Sequence, residues 1–400
     1  MRREILVKSR EIATPFYLYD RDRIIKNIAK LTKYFSRCNA RIFFAVKANT
    51  SLSVLEIIRK AGVGAEVVSP GEVFICLKAG FAPKDILYNN IARKEEEVLY
   101  AVKKGVVYYN FEAIDQALLL EKCARRLKRE IKLFARINPG IFPETHPHLS
   151  TGARSSKFGI ECERLEDVAV VARRLCWARF VGIHSHIGSQ ILSPTPFIKG
   201  VKKVMELIEF FRSKDIAVEY INLGGGFGIP YHPKETELDF KPIVRAYKRL
   251  GEQYRVKIFL EPGRFLVGNA GYIIATVISV KQRQRRPLYI IDAGMTENPR
   301  PALYNAYHHI EAFFSKKKKE KKVRVAGPLC ENSDEFGLFS LPPLKPGDRV
   351  IIHNCGAYTR TMASNYNGRL LPAEYLYDRK NFVLIRKREQ FRTLINNELY

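Results

Sequence analysis

From Arg41 to Glu261 the chain repeats one pattern. A short apolar run rich in Val, Ile, Phe or Tyr is followed by a turn, and then by apolar residues recurring at the three and four spacing of an amphipathic helix. The apolar runs fall at 41–46 (RIFFAV), 65–69 (AEVVS), 86–90 (ILYNN), 106–110 (VVYYN), 131–138 (IKLFARIN), 180–186 (FVGIHSH), 217–223 (AVEYINL) and 257–261 (KIFLE). They predict eight strands, and strands alternating with helices predict parallel βαβ units.

The helices carry their own boundary signals. Ser69-Pro70-Gly71-Glu72 supplies a capping hydroxyl, a proline at the first helical position and a glutamate three residues after the cap, and Gly80 closes that helix. Segments 111–127 and 197–213 show the apolar stripe of helices that lie against a sheet. Eight such units in about 220 residues predict a (β/α)8 barrel, with a doubly wound open sheet as the structural alternative. After residue 265 the pattern changes to strand-like runs with few long helices: YIIATVISV, PLYIIDAG, VRVAGPLC, DRVIIHNCGAY and NFVLIRK. The division expected is therefore a barrel over 25–265 and a β-rich, sandwich- or barrel-like domain over 266–400, which residues 1–24 join through FYLYD.

Composition narrows the class. The 400 residues are 46% hydrophobic and 27% charged, a globular balance. The basic N-terminus lacks the apolar run of a signal peptide, and no segment approaches the ~20 apolar residues that span a bilayer, so a cytoplasmic protein with no membrane partner is expected. The seven cysteines stand singly, without CxxC pairs, which argues against a disulfide framework or a structural metal. A net charge of +27 raises the question of nucleic acid. Yet the positive residues are spread over nearly every predicted helix and no recognised module accompanies them, and the dense run at 315–322 (SKKKKEKK) reads as a solvated loop.

In a barrel of this kind active groups sit where strands end, and there the chain places its polar residues. Lys47 follows strand 1, Ser69 and Glu72 follow strand 2, Arg136 and Asn138 lie on strand 5, and His184 and His186 on strand 6. Strand 7 runs into Gly224-Gly225-Gly226, and strand 8 ends at Glu261 with Arg264 close behind. A lysine at a barrel mouth, if desolvated, suits imine chemistry. The glycine turn offers free backbone N–H groups as a nest for phosphate, with Arg264 as a charged partner. His184 and His186 share a spacing used by metal ligands, but no further ligand is near in sequence; a ring against a flat cofactor or plain core packing is the expectation.

These residues, together with HPHLSTGARSSKFGI (146–160), RPALYNAYH (300–308), CENSD (330–334) and GAYTRTMASNYNGRLLPAEYL (356–376), resemble the fold-type III pyridoxal-phosphate decarboxylases, the alanine-racemase-like barrel plus β domain. Within them the chain is most similar to the diaminopimelate decarboxylase family, over almost its whole length. The resemblance implies that Lys47 holds pyridoxal 5'-phosphate as a Schiff base, that His186 stacks on it, and that Glu261 partners the pyridine nitrogen. It implies phosphate contacts from Ser189, Gly224, Gly225, Gly226 and Tyr358, with Pro262, Gly263 and Arg264 of the EPGR motif also lining the cofactor. Arg264, Arg300, Tyr304 and Glu331 match substrate-binding positions, and Cys330 matches a thiol that reaches in from the neighbouring subunit of a homodimer and delivers a proton. Arg300, matching a ligand of a distal carboxylate, favours meso-diaminopimelate as the small-molecule substrate and lysine as product.

Three departures bear on substrate: CENSD replaces CESGD, SPGE replaces SGGE, and Thr359 stands where the family has glycine. Ornithine, lysine or a carrier-tethered amino acid are the alternative substrates. An amino-acid racemase would carry an arginine rather than Glu261 at the pyridine nitrogen. A binding protein without cofactor would be free to lose Lys47, Glu261 or Cys330, and all three are present.

Overall fold

The strand-like FYLYD forms β1 (Phe16–Asp20). The eight alternating runs after it become β2 (Ala40–Ala45), β3 (Gly64–Val67), β4 (Ile86–Tyr88), β5 (Tyr108–Phe111), β6 (Ile131–Arg136), β7 (Ala178–His184), β8 (Tyr220–Asn222) and β9 (Lys257–Leu260). The structure is a computed structural model describing residues 7–141, 156–313 and 319–399; residues 1–6, 142–155 (which include the 146–155 part of the HPHL motif), 314–318 (part of the SKKKKEKK run) and 400 lie outside the described residues. Two compact units divide the chain: Ile25–Ile229 with Thr236–Leu266, and Met1–Ile24 with Pro230–Glu235 and Val267–Tyr400.

In the first of these, β2 to β9 form a closed parallel barrel. Closure is made by Ala40, Arg41 and Ile42 of β2 pairing with Ile258, Phe259 and Leu260 of β9, which an open sheet would leave unpaired. Strands stop earlier than the apolar runs suggest, at Tyr88 rather than residue 90 and at His184 rather than 186. The helix after β3 spans Pro70–Lys78, and Ser69 accepts the Glu72 N–H as the motif predicts.

The barrel interior is plugged by rings. The Phe259 ring lies 4.8 Å from Phe43, 5.3 Å from Tyr108, 5.3 Å from Tyr220 and 5.5 Å from Phe134, so one side chain touches four others from different strands. Phe259→Ala should cost about 3–5 kcal/mol, since neighbours anchored on separate strands cannot collapse into the void. An unchanged denaturant midpoint would contradict this.

The second unit continues with β10 (Gly271–Lys281), β11 (Leu288–Ile291), β12 (Ile310–Ala312), β13 (Lys321–Ala326), β14 (Glu335–Leu341), β15 (Arg349–Ile352), β16 (Ala373–Asp378) and β17 (Asn381–Arg386). They build a mixed sheet in the order β14-β13-β11-β10-β1-β16-β17, with β15 pairing β10 and β12. Phe16 and Leu18 of β1 pack against Ile274, Ile351 and Tyr377, which is why the N-terminal segment belongs with the C-terminal strands. Strand β16 escapes a pattern reading because Glu374 is buried within it, satisfied by the Tyr19 hydroxyl at 2.8 Å and by Arg386. Among the described residues no helix is long and apolar enough to cross a membrane.

Candidate active site

Lys47 sits in a single 3-10 turn, Val46–Ala48, directly after β2. Its Nζ donates to both carboxylate oxygens of Glu66 on β3, at 3.0 and 3.1 Å. The lysine side chain is 42% exposed while that of Glu66 is 0% exposed. The lysine at the barrel mouth is therefore ion-paired, with a buried carboxylate as its partner. Glu72 stands nearby with its Oε2 accepting the Val68 N–H at 2.8 Å, and burial, reinforced by Glu66, pushes its carboxyl up to about 7.

Glu261 follows β9 and is buried. Its Oε1 accepts the Asn222 side-chain N–H at 2.6 Å, and its Oε2 lies 3.6 Å from His184 Nε2. Desolvation, with the Glu66 charge adding to it, raises the Glu261 carboxyl to about 7, against the pull of Lys47. His184 ends β7 and His186 lies two residues on, with ring centroids 6.4 Å apart. Both are held neutral, first by burial and then by the positive charge of Arg136. His186 Nδ1 accepts the Gly225 N–H at 3.2 Å, which puts its remaining proton on Nε2.

The glycine turn after β8 differs from the open nest expected. Gly224 donates to Asn222 Oδ1 at 3.0 Å and Gly225 to His186, so two of its N–H groups are already engaged. Among the described residues no bond engages the Gly226 N–H. Gly224 and Gly226 adopt left-handed φ values of 63° and 93°, and a Cβ on Gly225 would run into the Glu261 carbonyl. Close by, Arg264 Nη2 donates to Ser189 Oγ at 3.1 Å. Arg136 is committed elsewhere: it pairs with buried Glu112, whose other oxygen accepts the Gly159 N–H at 2.9 Å, and it lies over the Phe158 ring. Asn138 likewise ties the loop, accepting the Gly140 N–H and donating to the Phe158 carbonyl.

In the other unit Arg300 opens a one-turn helix, Arg300–Tyr304, and is buried. Cys330 and Glu331 are exposed on a turn gripped by Asp334, whose carboxylate accepts the Met295 and Leu329 N–H groups at 2.6 and 2.8 Å. A side chain on Gly294 or Gly327 would collide with that carboxylate. Tyr358 takes a left-handed φ of 56°, whereas Thr359 has φ −111° and makes a bond from its hydroxyl to the Ala357 carbonyl. The threonine therefore occupies a conformation that needs no glycine.

Residues 21–268 match the family model described as "Pyridoxal-dependent decarboxylase, pyridoxal binding domain". The chain belongs to the pyridoxal-dependent decarboxylases. This decarboxylase is 35% identical to the diaminopimelate decarboxylase of Aquifex aeolicus (strain VF5), over 96% of this chain and 92% of that one. It is 38% identical to that of Bacteroides thetaiotaomicron, over 93% and 97%. A crystal structure of diaminopimelate decarboxylase from Helicobacter pylori complexed with L-lysine superposes with a TM-score of 0.93 at 32% identity, covering 99% of both chains.

The cofactor of the family is pyridoxal 5'-phosphate, and the barrel of this decarboxylase fits it. The glycine turn packs so closely on His186, Glu261 and Gly188 that a Cβ would strike them, and the neutral His186 ring, the lysine and the buried Glu261 carboxyl gather at the same strand ends. Sequence reasoning missed Glu66, Asn222 and Glu112. Glu66 and Asn222 had a signal: a charged or amide side chain inside an apolar barrel strand has to be satisfied by a partner in the interior.

Proposed function

We propose that this decarboxylase converts meso-diaminopimelate to L-lysine and carbon dioxide in the cytoplasm, as a homodimer with shared active sites. The observation that carries the reading is full-length likeness to diaminopimelate decarboxylases at 35% identity. When bound, the cofactor supplies an electron sink for the pair left behind as the carboxyl group departs. Lys47 would hold it covalently, His186 would lie against its ring, and Glu261 would partner its ring nitrogen and keep that nitrogen protonated. Ser189, Tyr358 and the Gly226 N–H would bind its phosphate, with Gly224 and Gly225 shaping the turn and Pro262, Gly263 and Arg264 flanking it. Glu66 keeps Lys47 in place while the lysine is charged. Arg264, Tyr304 and Glu331 orient the amino-acid substrate, and Arg300 takes its distal carboxylate, a group that ornithine and lysine lack.

The test is release of carbon dioxide from a panel of amino acids by purified protein with cofactor. Diaminopimelate should be the fastest substrate; faster release from ornithine or lysine would overturn the substrate assignment. If Cys330 of the partner subunit protonates the product carbon, Lys47→Ala and Cys330→Ala chains should each be poor alone. Equal mixing makes about half the dimers heteromeric with one intact site each, restoring up to roughly a quarter of wild-type activity. No recovery in demonstrated heterodimers would refute the shared site.

A further inference from the structure

Arg300 is the side chain on which substrate choice rests in the reading above, and its surroundings show how it is aimed. Its Nη1 lies 2.8 Å from Nε2 of His308, and its guanidinium carbon stands 4.6 Å above the ring of Tyr231. All three side chains are buried. A guanidinium can only donate, so His308 Nε2 must present its lone pair and the ring proton must sit on Nδ1. That proton has a matching acceptor: Nδ1 lies 2.8 Å from the backbone carbonyl of His353. The carbonyl is fixed in turn, because the His353 N–H is bonded to the His309 carbonyl at 2.9 Å, where β15 leaves β12. The ring of His308 also stands edge-on to Tyr231, with centroids 5.2 Å apart and planes at 73°. One imidazole therefore links the sheet backbone to the guanidinium in a single tautomer, and Tyr231 supplies the second constraint from one face.

We propose that His308 is the positioning residue that aims Arg300 at the distal carboxylate of the substrate. Arg300 starts a helix of only five residues that ends in Asn305 with φ 49°, so its own element gives the long side chain little guidance. Without His308 the guanidinium would be a buried donor with one acceptor fewer, free to turn toward whatever acceptor is nearest. Holding the fork in one plane is what a two-point grip on a carboxylate requires. The proposal rests on Arg300 binding that carboxylate.

The test compares Arg300→Leu, His308→Leu and His308→Gln in the cofactor-loaded enzyme. It reads KM and kcat for diaminopimelate, and inhibition by cadaverine, the five-carbon diamine, which has no carboxylate at either end. His308→Leu should raise the diaminopimelate KM about ten- to hundredfold, the worth of a hydrogen bond to a charged group, with kcat within about threefold. Inhibition by cadaverine should change less than about threefold. Glutamine can accept from Arg300 through its side-chain oxygen and should restore most of the KM. His308→Asn, polar but too short to reach, replaces the leucine variant if that one does not fold. If Arg300→Leu weakens diaminopimelate and cadaverine alike, the substrate reading fails. If Arg300→Leu discriminates between them and the His308 variants do not, or glutamine rescues nothing, only the positioning role fails.

Discussion

Replacement of Lys47 by alanine is expected to abolish decarboxylation, by about a thousandfold or more, and to remove the visible absorbance of the cofactor-loaded protein. A group that acts as one unit with its cofactor takes most of the rate with it when removed. The side chain is 42% exposed and belongs to a one-turn segment outside the strand, so its loss opens no core cavity and the variant should fold. Loss of absorbance then reports the missing Nζ rather than a collapsed barrel. The circular dichroism spectrum should stay that of wild type, and a small exogenous amine should recover part of the rate by standing in for the lysine nitrogen. A variant that keeps the visible band and its turnover would end the assignment of Lys47.

Glu261→Gln is expected to lower turnover by about a hundredfold, on the order of the ~3 kcal/mol that one preorganised electrostatic group supplies, with the cofactor still bound. Glutamine preserves the shape and can still meet the Asn222 side chain, but cannot carry the negative charge that keeps a ring nitrogen protonated. The same carboxyl governs a pH effect in the cofactor-free protein. Burial raises it from its ordinary 4.5 to about 7, so between those values the folded chain holds a proton that the unfolded chain has released. Its contribution to stability is therefore fully present below about pH 4.5 and is lost as pH rises through about 7. Glu72, raised to about 7 by the same cause, acts in the same direction. Denaturant midpoints of the cofactor-free wild type should fall over that window, and those of Glu261→Gln should fall less. Equal slopes would show that the buried glutamate is not the group titrating; near-normal turnover would remove it from the chemistry.

What the chain determines by itself is what depends on neighbours in sequence. The alternation of apolar runs and helical stripes is enough for eight parallel strands, because a strand and the helix after it must each bury one face locally. The Ser69–Glu72 cap is likewise legible, being a contact across three residues. The position of Lys47 just past β2 and of Glu261 just past β9 follows from where the apolar runs end.

Only the tertiary structure decided which groups these residues meet. Lys47 finds Glu66 across the β2–β3 pairing, and Glu261 finds Asn222 across β8–β9, because parallel pairing brings strand ends together that lie 19 and 39 residues apart. The glycine turn looked like an open phosphate nest, yet the fold commits Gly224 to Asn222 and Gly225 to His186 and leaves Gly226 to offer its N–H. The buried histidine under Arg300 was invisible for a related reason: its tautomer is set by the His353 carbonyl, 45 residues away. Burial, charge and hydrogen-bond demand at a site are sums over several elements, and such sums exist only once the chain has closed on itself.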